Sequence, residues 1–446
     1  MNVPGSVLVA GASAAGLGTA EALRRKGYRG RLTVLDAAGG APYDRPPLSK
    51  QVLSGAWEPE RAYLRPQEAL DALDAEFVRG DACVALDATA RTVRTESGRT
   101  FGADAVVLAT GLRPRRLPGQ EELSGLHVLR TLEEALALRD ALRRAERVVV
   151  VGNGVLGSEI AATSAGLGLS TTLVGLQQAP MEDQFGPRVA GVLAELHARN
   201  GVRLVNGVGI GGFTRERGRA TGVRLSSGEV LPADVVVVAV GCAPATEWLA
   251  DSGLDLADGV VCDSRCRAAP GIWAAGDLAR WYHPALGTHL RLENRTNATA
   301  QAGAVAANLL GEDTAYAPVP YFWTDQFDVK IQVFGAPAPD AEVTVVEGSD
   351  GTEGGSGEAG GASGEAGGGD RARFVARYDR AGRTSAVLGW NMPKQTRLHS
   401  RPLHEAASAV PAPATSAPVR TDTSNPAGRP GAHDRRPRPH TFEGRT

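Results

Sequence analysis

Two glycine-rich turns, each placed directly after a run of apolar residues, constrain the fold of this chain more than any other feature. The first turn reads GASAAG at 11–16 and follows the stretch 6–10, of which 7–10 are apolar. The second reads GNGVLG at 152–157 and follows 147–151, of which 148–151 are apolar. Unbroken apolar, β-branched runs are typical of parallel strands that are buried on both faces. Each turn leads into a helical pattern, so the sequence predicts a doubly wound α/β fold that is used twice.

Both turns match the pattern that holds the pyrophosphate of a dinucleotide. Free N–H groups and the dipole at a helix N-terminus attract phosphate, and glycines let the backbone approach it closely. The second turn has all three glycines, whereas Ser13 replaces the middle glycine of the first. A single turn of this kind is also compatible with an ordinary strand–helix connection. Because the chain has two, it predicts two Rossmann-like dinucleotide-binding domains.

The residues that follow the second strand of each domain bear on the nucleotide that binds there. The predicted strand 31–35 ends on Asp36, whose carboxylate can accept hydrogen bonds from an adenosine ribose. This favours a cofactor without a 2′-phosphate, such as FAD, at the first site. The corresponding strand 170–174 leads into Gly175, and neither an acid nor an arginine occupies the next three positions. The choice between NADH and NADPH therefore stays open.

The pattern changes after the proline-containing segment 317–320. Short alternating strands then predict a separate C-terminal α+β domain; they lie at 329–334, 342–346, 374–378 and 385–389. The glycine-rich segment 348–369 cannot bury enough apolar surface to order itself, so we expect a disordered insertion there. The proline-rich segment 405–446 lacks periodicity and is expected to be a disordered tail.

Composition excludes several classes of function. The chain has 48 Lys+Arg and 50 Asp+Glu, and this net charge of −2 gives no indication of nucleic acid or membrane as a partner. No apolar run approaches the ~20 residues of a membrane span, and no signal-peptide pattern precedes the first strand. The cysteines are too few for a disulfide framework, which favours the cytoplasm. Cys262 and Cys266 lie four apart without histidine or further cysteine partners nearby, so we expect them to be structural and expect no metal site.

Four further motifs make the chain similar to a known family. They read PYDRPPLSK at 42–50, VVLATG at 106–111, GIWAAGD at 271–277 and PYFWTDQ at 320–326. In these motifs the chain resembles ferredoxin reductases of the rubredoxin/putidaredoxin reductase type, which are glutathione-reductase-like flavoproteins. The resemblance spans 6–403. It implies FAD, NADH or NADPH, an iron–sulfur ferredoxin as partner, and service to a monooxygenase or dioxygenase.

The resemblance also implies how the domains are divided. The FAD-binding domain would comprise 1–111 and 241–316, with the NAD(P)-binding domain at 112–240 and the C-terminal α+β domain at 317–404. Thr110 and Gly111 would mark the crossover into the second domain, and Gly241 would mark the return.

Individual residues take roles by the same resemblance. Lys50 would lie near the flavin ring and form an ion pair with Glu159, whereas two solvated surface charges are the usual alternative for such residues. Arg45 and Arg130 would face the FAD phosphates, and Asp277 would take the ribityl chain. The other implied cofactor-binding positions are Gly11, Ser13, Ala14, Ala15, Gly16, Asp36, Cys83, Thr110, Gly111, Gly152, Gly154, Gly157, Gly241, Arg295 and Trp323. At Cys83 the contact would be main-chain, so the thiol would be incidental.

One departure from the family pattern lies beside the expected flavin site. The family commonly reads EHWTN where this chain reads ENRTN at 293–297, so Arg295 replaces an aromatic residue. The family contact there is largely main-chain, and FAD binding should survive. An arginine at this position could also add positive charge where the partner approaches.

Three other functions compete with this interpretation. Dithiol chemistry of the glutathione-reductase kind needs a cysteine pair on the segment 43–48, which contains no cysteine. An NAD(P)H oxidase or diaphorase that reduces oxygen or a quinone would use the same residues as a ferredoxin reductase. A non-enzymatic NADH-binding redox sensor is the alternative from another class. The sequence alone leaves the last two open.

Overall fold

The structure is a computed structural model, and it describes residues 3–338, 340–351 and 372–408. Its first sheet consists of β1 (Ser6–Ala10), β2 (Arg31–Asp36), β3 (Glu76–Arg79), β7 (Ala105–Leu108), β19 (Arg267–Ala269) and β20 (Ile272–Ala274). The strand order is β19-β20-β7-β1-β2-β3, parallel except for the edge strand β19. Residues 7–10 of β1 are at most 1% exposed, as expected of a strand that is covered on both faces.

Helices, one small antiparallel sheet and one small mixed sheet complete this part of the chain. The helices are α1 (Ala14–Arg25), α2 (Gln67–Asp71) and α6 (Arg295–Leu309). One small sheet contains β4 (Cys83–Asp87), β5 (Thr92–Thr95) and β6 (Thr100–Gly102). The other contains β18 (Val260–Cys262), β21 (Ala279–His283) and β22 (Thr288–Leu290).

The second sheet is parallel throughout. It consists of β9 (Leu126–His127), β10 (Arg147–Val151), β11 (Ser170–Gly175), β12 (Arg203–Asn206) and β16 (Val235–Val238) in the order β12-β11-β10-β16-β9. Its helices are α3 (Leu132–Leu142), α4 (Val155–Gly166) and α5 (Glu182–Arg199). An antiparallel extension contains β13 (Ile210–Glu216), β14 (Arg219–Leu225) and β15 (Val230–Pro232).

The chain passes between the two parallel sheets through a pair of short antiparallel strands. These are β8 (Leu112–Pro114), which leads into the second sheet, and β17 (Cys242–Pro244), which leads out of it. Gly111 and Gly241 precede them with φ of +72° and +90°, a region of backbone conformation that favours glycine. The two chain segments that connect the parallel sheets therefore lie side by side.

The C-terminal sheet is antiparallel and has five strands. They are β23 (Tyr321–Gln326), β24 (Val329–Gly335), β25 (Glu342–Ser349), β26 (Arg373–Arg380) and β27 (Arg383–Trp390), in the order β23-β24-β27-β26-β25. Two helices follow, α7 (Pro393–His399) and α8 (Arg401–Ser408). The predicted fold class, two doubly wound α/β parts and a C-terminal α+β part, is confirmed.

Two predicted boundaries are wrong. The sequence predicts disorder from 348, but β25 continues to Ser349, and Gly348 lies opposite Phe374 on β26. Pairing with a neighbouring strand satisfies the backbone N–H and C=O groups of these residues, although their side chains bury little apolar surface. The rest of the predicted insertion, 352–369, lies outside the described residues.

The predicted tail also begins too early. Disorder is predicted from 405, but α8 continues to Ser408. Leu403 packs against a small core that contains Val375 and Val387, and this contact stabilises the helix. The remaining part of the predicted tail, 409–446, lies outside the described residues. Among the residues that are described, no helix is both long and apolar enough to cross a membrane.

Candidate functional site

The two glycine-rich turns have the same backbone geometry. Gly11 has φ of +106°, and a Cβ on it would lie 2.3 Å from the carbonyl oxygen of Ala109. A Cβ on Gly16 would lie 1.7 Å from the carbonyl oxygen of Gly11. Both positions therefore require glycine, because any side chain would collide with backbone.

The second turn repeats these distances. A Cβ on Gly152 would lie 2.2 Å from the carbonyl oxygen of Ala239, and one on Gly157 would lie 1.7 Å from that of Gly152. Gly154, in contrast, faces open space and is the N-cap of α4. Its counterpart Ser13 is the N-cap of α1, and neither residue caps its helix with a side-chain hydrogen bond. The first-turn N–H groups of both helices can therefore bind an anion.

Residues near the first turn pack against the segment that carries Asp277. Gly276 has φ of +76°, and a Cβ on it would lie 2.8 Å from the Cβ of Ala15. Ala15 is buried and Ala14 is half-buried. The small residues of the first turn thus bring Asp277 close to the N-terminus of α1.

A half-buried carboxylate, that of Asp36, lies at the end of β2. Burial raises the pKa of Asp36 above its usual value, with opposing contributions from hydrogen bonds of the backbone and from Arg45. Its Oδ1 accepts a long hydrogen bond of 3.4 Å from the N–H of Ala38. Ribose hydroxyl groups would supply stronger donors to this partly desolvated carboxylate.

Cys83 lies near this carboxylate. Burial, with smaller contributions from the charges of Asp36 and Asp81, raises the pKa of the Cys83 thiol to about 12. The thiol therefore stays protonated at neutral pH and is a poor nucleophile. This agrees with the expectation that any contact at this position is made by the main chain.

Two arginines lie close together beside the first turn. Nη1 of Arg45 donates a hydrogen bond to Oγ of Ser13, and Nη2 of Arg130 lies 3.3 Å from Oδ2 of Asp277. Burial and the neighbouring charge of Arg130 lower the pKa of Arg45. The two half-buried guanidinium groups favour a further anion beside them, because Asp277 supplies a single negative charge for both.

The same region has unsatisfied donors. Within the described part of the chain, the Nε atoms of Arg45 and Arg130 are buried and have no hydrogen-bond partner. The same holds for Nε of Arg79, which ends β3 and whose charge acts on Asp36. Arg79 is not predicted from the sequence, because a lone arginine at a strand end carries no motif.

The predicted ion pair between Lys50 and Glu159 is present. Nζ of Lys50 lies 2.6 Å from Oε2 of Glu159, and the side chains are only 13% and 8% exposed. Oγ of Ser49 donates a second hydrogen bond of 2.6 Å to the same oxygen. Ser49 and Lys50 belong to a single π-helical turn at 48–52, and Glu159 belongs to α4. This burial contradicts the alternative of two solvated surface charges.

A third donor to Glu159 comes from the C-terminal sheet. Oγ1 of Thr324 on β23 donates to Oε1 of Glu159 at 2.8 Å, and Nε2 of Gln326 donates to Oγ1 of Thr324 at 3.2 Å. Oε1 of Gln326 lies 2.7 Å from Nε2 of His197 on α5. None of these three side chains is predicted from the sequence, although Thr324 and Gln326 lie in the PYFWTDQ motif at 320–326. They lie two apart and so share one face of a strand, and this spacing within the motif is a signal that could have found them.

Thr110 and the crossover glycines lie where the two short strands begin. Oγ1 of Thr110 donates to the carbonyl oxygen of Ala245 at 3.1 Å, and the N–H of Ala245 donates to the carbonyl oxygen of Gly111 at 2.9 Å. A Cβ on Gly111 would lie 3.1 Å from Nη2 of Arg130. Gly111 therefore lies next to the arginine pair, whereas a Cβ on Gly241 would meet nothing within 4 Å.

The structure places Arg295 in an ion pair. Nε of Arg295 lies 2.8 Å from Oδ1 of Asp44, and its Nη1 donates to Oγ1 of Thr299. The charge that this arginine could add for a partner is thus largely compensated. Trp323 is half-buried and stacks on Tyr321 with ring centroids 6.1 Å apart.

These features fit FAD on the first turn. The turn is a cradle that a Cβ would fill, the arginines offer unsatisfied buried N–H groups, and Asp36 lacks strong donors. FAD, when bound, supplies the change from two-electron hydride chemistry to one-electron transfer. The second turn offers a similar cradle for a second dinucleotide, and the Lys50–Glu159 pair connects the two halves.

Comparison with known proteins gives a consistent result. Residues 5–302 match the family described as pyridine nucleotide-disulphide oxidoreductase. The chain is 36% identical to rhodocoxin reductase of Rhodococcus erythropolis over 346 residues, which cover 77% of this chain and 81% of that protein. It is 33% identical to the ferredoxin reductase component of the chlorobenzene dioxygenase of Cupriavidus sp. over 410 residues, covering 91% and 94%.

Among solved structures, the chain is similar to putidaredoxin reductase in its covalent complex with putidaredoxin. The TM-score is 0.81 at 28% identity, and the match covers 91% of this chain and 98% of that chain. The resemblance that the motifs of the sequence indicate is therefore confirmed.

Proposed function

This chain belongs to the pyridine nucleotide-disulphide oxidoreductase family, and we propose that it transfers electrons from a nicotinamide nucleotide through FAD to an iron–sulfur ferredoxin. The observation that carries this proposal is the buried ion pair between Lys50 and Glu159. It joins the segment beside the first glycine turn to the helix that begins at the second. In a hydride transfer the nicotinamide and the flavin must come into contact, and this ion pair joins the two segments that would hold them.

The roles of the domains follow from this proposal. Residues 1–111 and 241–316 bind FAD, residues 112–240 bind the nicotinamide nucleotide, and residues 317–404 complete the site. The FAD pyrophosphate lies at the first glycine turn, where Arg45 and Arg130 neutralise it, and Asp36 holds the adenosine ribose. The support is the set of buried, unsatisfied donors and the half-buried carboxylate of Asp36.

Lys50 and Glu159 position the reacting groups. Three donors, from Ser49, Lys50 and Thr324, fix both oxygens of the Glu159 carboxylate. A carboxylate held in this way keeps the Lys50 ammonium in one place, next to the flavin ring. Preorganised charge of this kind contributes to catalysis because it needs no rearrangement during the reaction.

The partner is proposed from the names of the relatives. One relative is the ferredoxin reductase component of a dioxygenase, and a similar structure is a complex with putidaredoxin. We propose a ferredoxin that feeds a monooxygenase or dioxygenase, in the cytoplasm. For the nucleotide we propose NADH, because no arginine follows β11 to hold a 2′-phosphate.

The proposal is tested on the purified protein. It should be yellow with about one FAD per chain, NADH should bleach the flavin without oxygen, and an added ferredoxin should restore the colour. Lys50→Met should slow bleaching while FAD content is kept. Lys26→Met is the matched control, because Lys26 forms an exposed ion pair with Glu312. A colourless protein that cannot be reconstituted with FAD would contradict the proposal, and bleaching that only oxygen or a quinone reverses would favour an oxidase or diaphorase.

A further inference from the structure

The loop after β11 is tied to the second glycine turn by backbone and side-chain hydrogen bonds. The N–H of Gly152 donates to the carbonyl oxygen of Val174 at 2.7 Å, and the N–H of Met181 donates to that of Asn153 at 2.8 Å. In a fold of this type the adenosine ribose lies at the carboxyl ends of the first two strands, next to the pyrophosphate. The loop 175–181 therefore borders the ribose.

Asn153 fills the place where a ribose-binding acid would stand. Its side chain is buried, and its Nδ2 donates to the carbonyl oxygen of Gln177 at 2.9 Å and to Oδ1 of Asn206 at 3.2 Å. A Cβ on Gly175 would lie 1.9 Å from Oδ1 of Asn153 and 2.1 Å from its Cγ. Residue 175 must therefore be glycine as long as residue 153 is asparagine. The end of β11 cannot carry the acid.

A carboxylate is nevertheless present at the far end of the same loop. Glu182 is the first residue of α5, and its Oε2 accepts a hydrogen bond of 2.9 Å from the N–H of Gln178. This bond holds the negative charge against the loop. No lysine or arginine lies between 175 and 184, so the charge is not compensated within this segment.

We propose that Glu182 makes the site prefer NADH to NADPH, and that it replaces the acid that Asn153 excludes from position 175. This inference rests on the proposed function, since it concerns the same nicotinamide site. The carboxylate repels a 2′-phosphate, which adds close to two negative charges beside the ribose. A neutral ribose meets no such repulsion.

The test measures nucleotide binding by calorimetry on the oxidised, FAD-loaded protein, with NAD⁺ and NADP⁺ as ligands. The wild type should bind NAD⁺ more tightly, and Glu182→Gln should reduce the ratio of the two Kd values about three- to tenfold, mainly through tighter NADP⁺ binding. Glu195→Gln removes the same charge from an exposed position thirteen residues further along the chain, beyond the break in α5 at Gly186, and should leave the ratio unchanged. Equal ratios in wild type and Glu182→Gln would overturn the inference.

A second pair of variants tests the role of Asn153. Gly175→Asp alone should weaken NAD⁺ binding, because its Cβ collides with the asparagine. The double variant with Gly175→Asp and Asn153→Gly should bind NAD⁺ tightly again, while its affinity for NADP⁺ should stay low. If Gly175→Asp alone binds NAD⁺ as the wild type does, Asn153 does not exclude an acid and the inference is wrong. If the wild type binds neither nucleotide, the proposed function itself fails.

Discussion

Glu159 is the residue at which three separate parts of the chain meet. Its carboxylate accepts hydrogen bonds from Ser49 and Lys50 near the first glycine turn, and from Thr324 on the C-terminal sheet. Thr324 is separated from Glu159 by 165 residues. The C-terminal sheet therefore contributes a hydrogen bond to the proposed hydride-transfer site, in addition to any surface that it offers to the partner protein.

Replacing Thr324 by valine tests this contribution. Thr324→Val keeps the shape but removes one donor to the carboxylate, and a hydrogen bond to a charged group contributes about 1.5–3 kcal/mol. We expect the limiting rate of flavin reduction by NADH to fall about tenfold, with a smaller change in the nucleotide Kd. Rapid-mixing absorbance measures both quantities. Thr324→Ser retains the hydroxyl and should recover most of the rate, and a valine variant as fast as the wild type would refute the role.

His197 makes the stability of the protein depend on pH. Burial lowers its pKa below 6.5, with a partly opposing hydrogen bond to Gln326. The unfolded chain therefore binds a proton more readily than the folded protein does, and stability must fall as the pH drops through about 6.5. We expect the loss of Tm between pH 7.5 and 5.5 to be smaller in His197→Gln than in the wild type. His289→Gln, outside this network, should behave as the wild type; equal losses in all three proteins would contradict the argument.

The sequence predicts functional residues that lie in recognisable motifs. It does not predict the hydrogen bonds that the fold forms between distant segments. Lys50 and Glu159 were predicted to pair because the resemblance places them together, and they do. Thr324, Gln326 and His197 join the same network from distant segments. No local pattern encodes a contact between a strand and a helix that are more than a hundred residues apart.

Among the elements, helix α5 links the second parallel sheet to the C-terminal sheet. Its buried residues Phe185, Val189 and Leu196 share one hydrophobic core with strands β24, β26 and β27. The ring of Phe185 stacks on Phe322 at 6.1 Å. The hydroxyl of Tyr378 donates to the carbonyl oxygen of Phe185 at 2.7 Å. Both parts of α5, on either side of the break at Gly186, therefore set the position of the sheet that carries Thr324.

Removing the Phe185 ring should weaken this junction. Phe185 is fully buried, and truncation of a buried phenylalanine costs about 3–5 kcal/mol. We expect Phe185→Ala to lower the Tm and to expose the C-terminal strands to limited proteolysis. Leu167→Ala, which truncates a side chain that is 44% exposed, is the control and should change neither. A Tm equal to that of the wild type would show that α5 does not hold the sheet.

The sequence predicts the first two strands of each parallel sheet and four of the five C-terminal strands, but not all of their ends. The strands that begin each parallel sheet are evident because burial on two faces requires unbroken apolar runs, as in Val148 to Val151. The predicted ends of β25 and α8 are wrong, because composition alone predicts disorder from 348 and from 405. Strand pairing at Gly348 and the packing of Leu403 are long-range contacts that override composition.

Over the whole molecule, the net charge of −2 conceals a local excess of positive charge. Lys394, Arg397 and Arg401 line one cavity beside α7 and α8. Lys330 lies next to the start of this region, since its carbonyl oxygen accepts a hydrogen bond from the N–H of Asn391. Arg291, in contrast, is engaged by Asp258 and Glu293. The positive surface therefore lies on the C-terminal part of the chain.

This surface predicts how electron output responds to salt. If an acidic ferredoxin docks there, ferredoxin-dependent cytochrome reduction should fall steeply with added salt, because screening acts on the encounter between proteins. Direct dye reduction by NADH should not change. Charge reversal at Lys330 and Arg397 should raise the KM for ferredoxin, whereas Arg215→Glu, at an exposed arginine of β13, should not. Salt-insensitive transfer would place docking elsewhere.

Transfer of electrons from the reduced flavin to a ferredoxin can be followed in one rapid-mixing experiment, and this experiment is the strictest test of the proposed function. Protein reduced with NADH in the absence of oxygen is mixed rapidly with oxidised iron–sulfur ferredoxin in air-saturated buffer, and both absorbance changes are followed. The account predicts that ferredoxin is reduced as the flavin is reoxidised, before oxygen consumes the electrons. Flavin reoxidation by oxygen while the ferredoxin stays oxidised would contradict it.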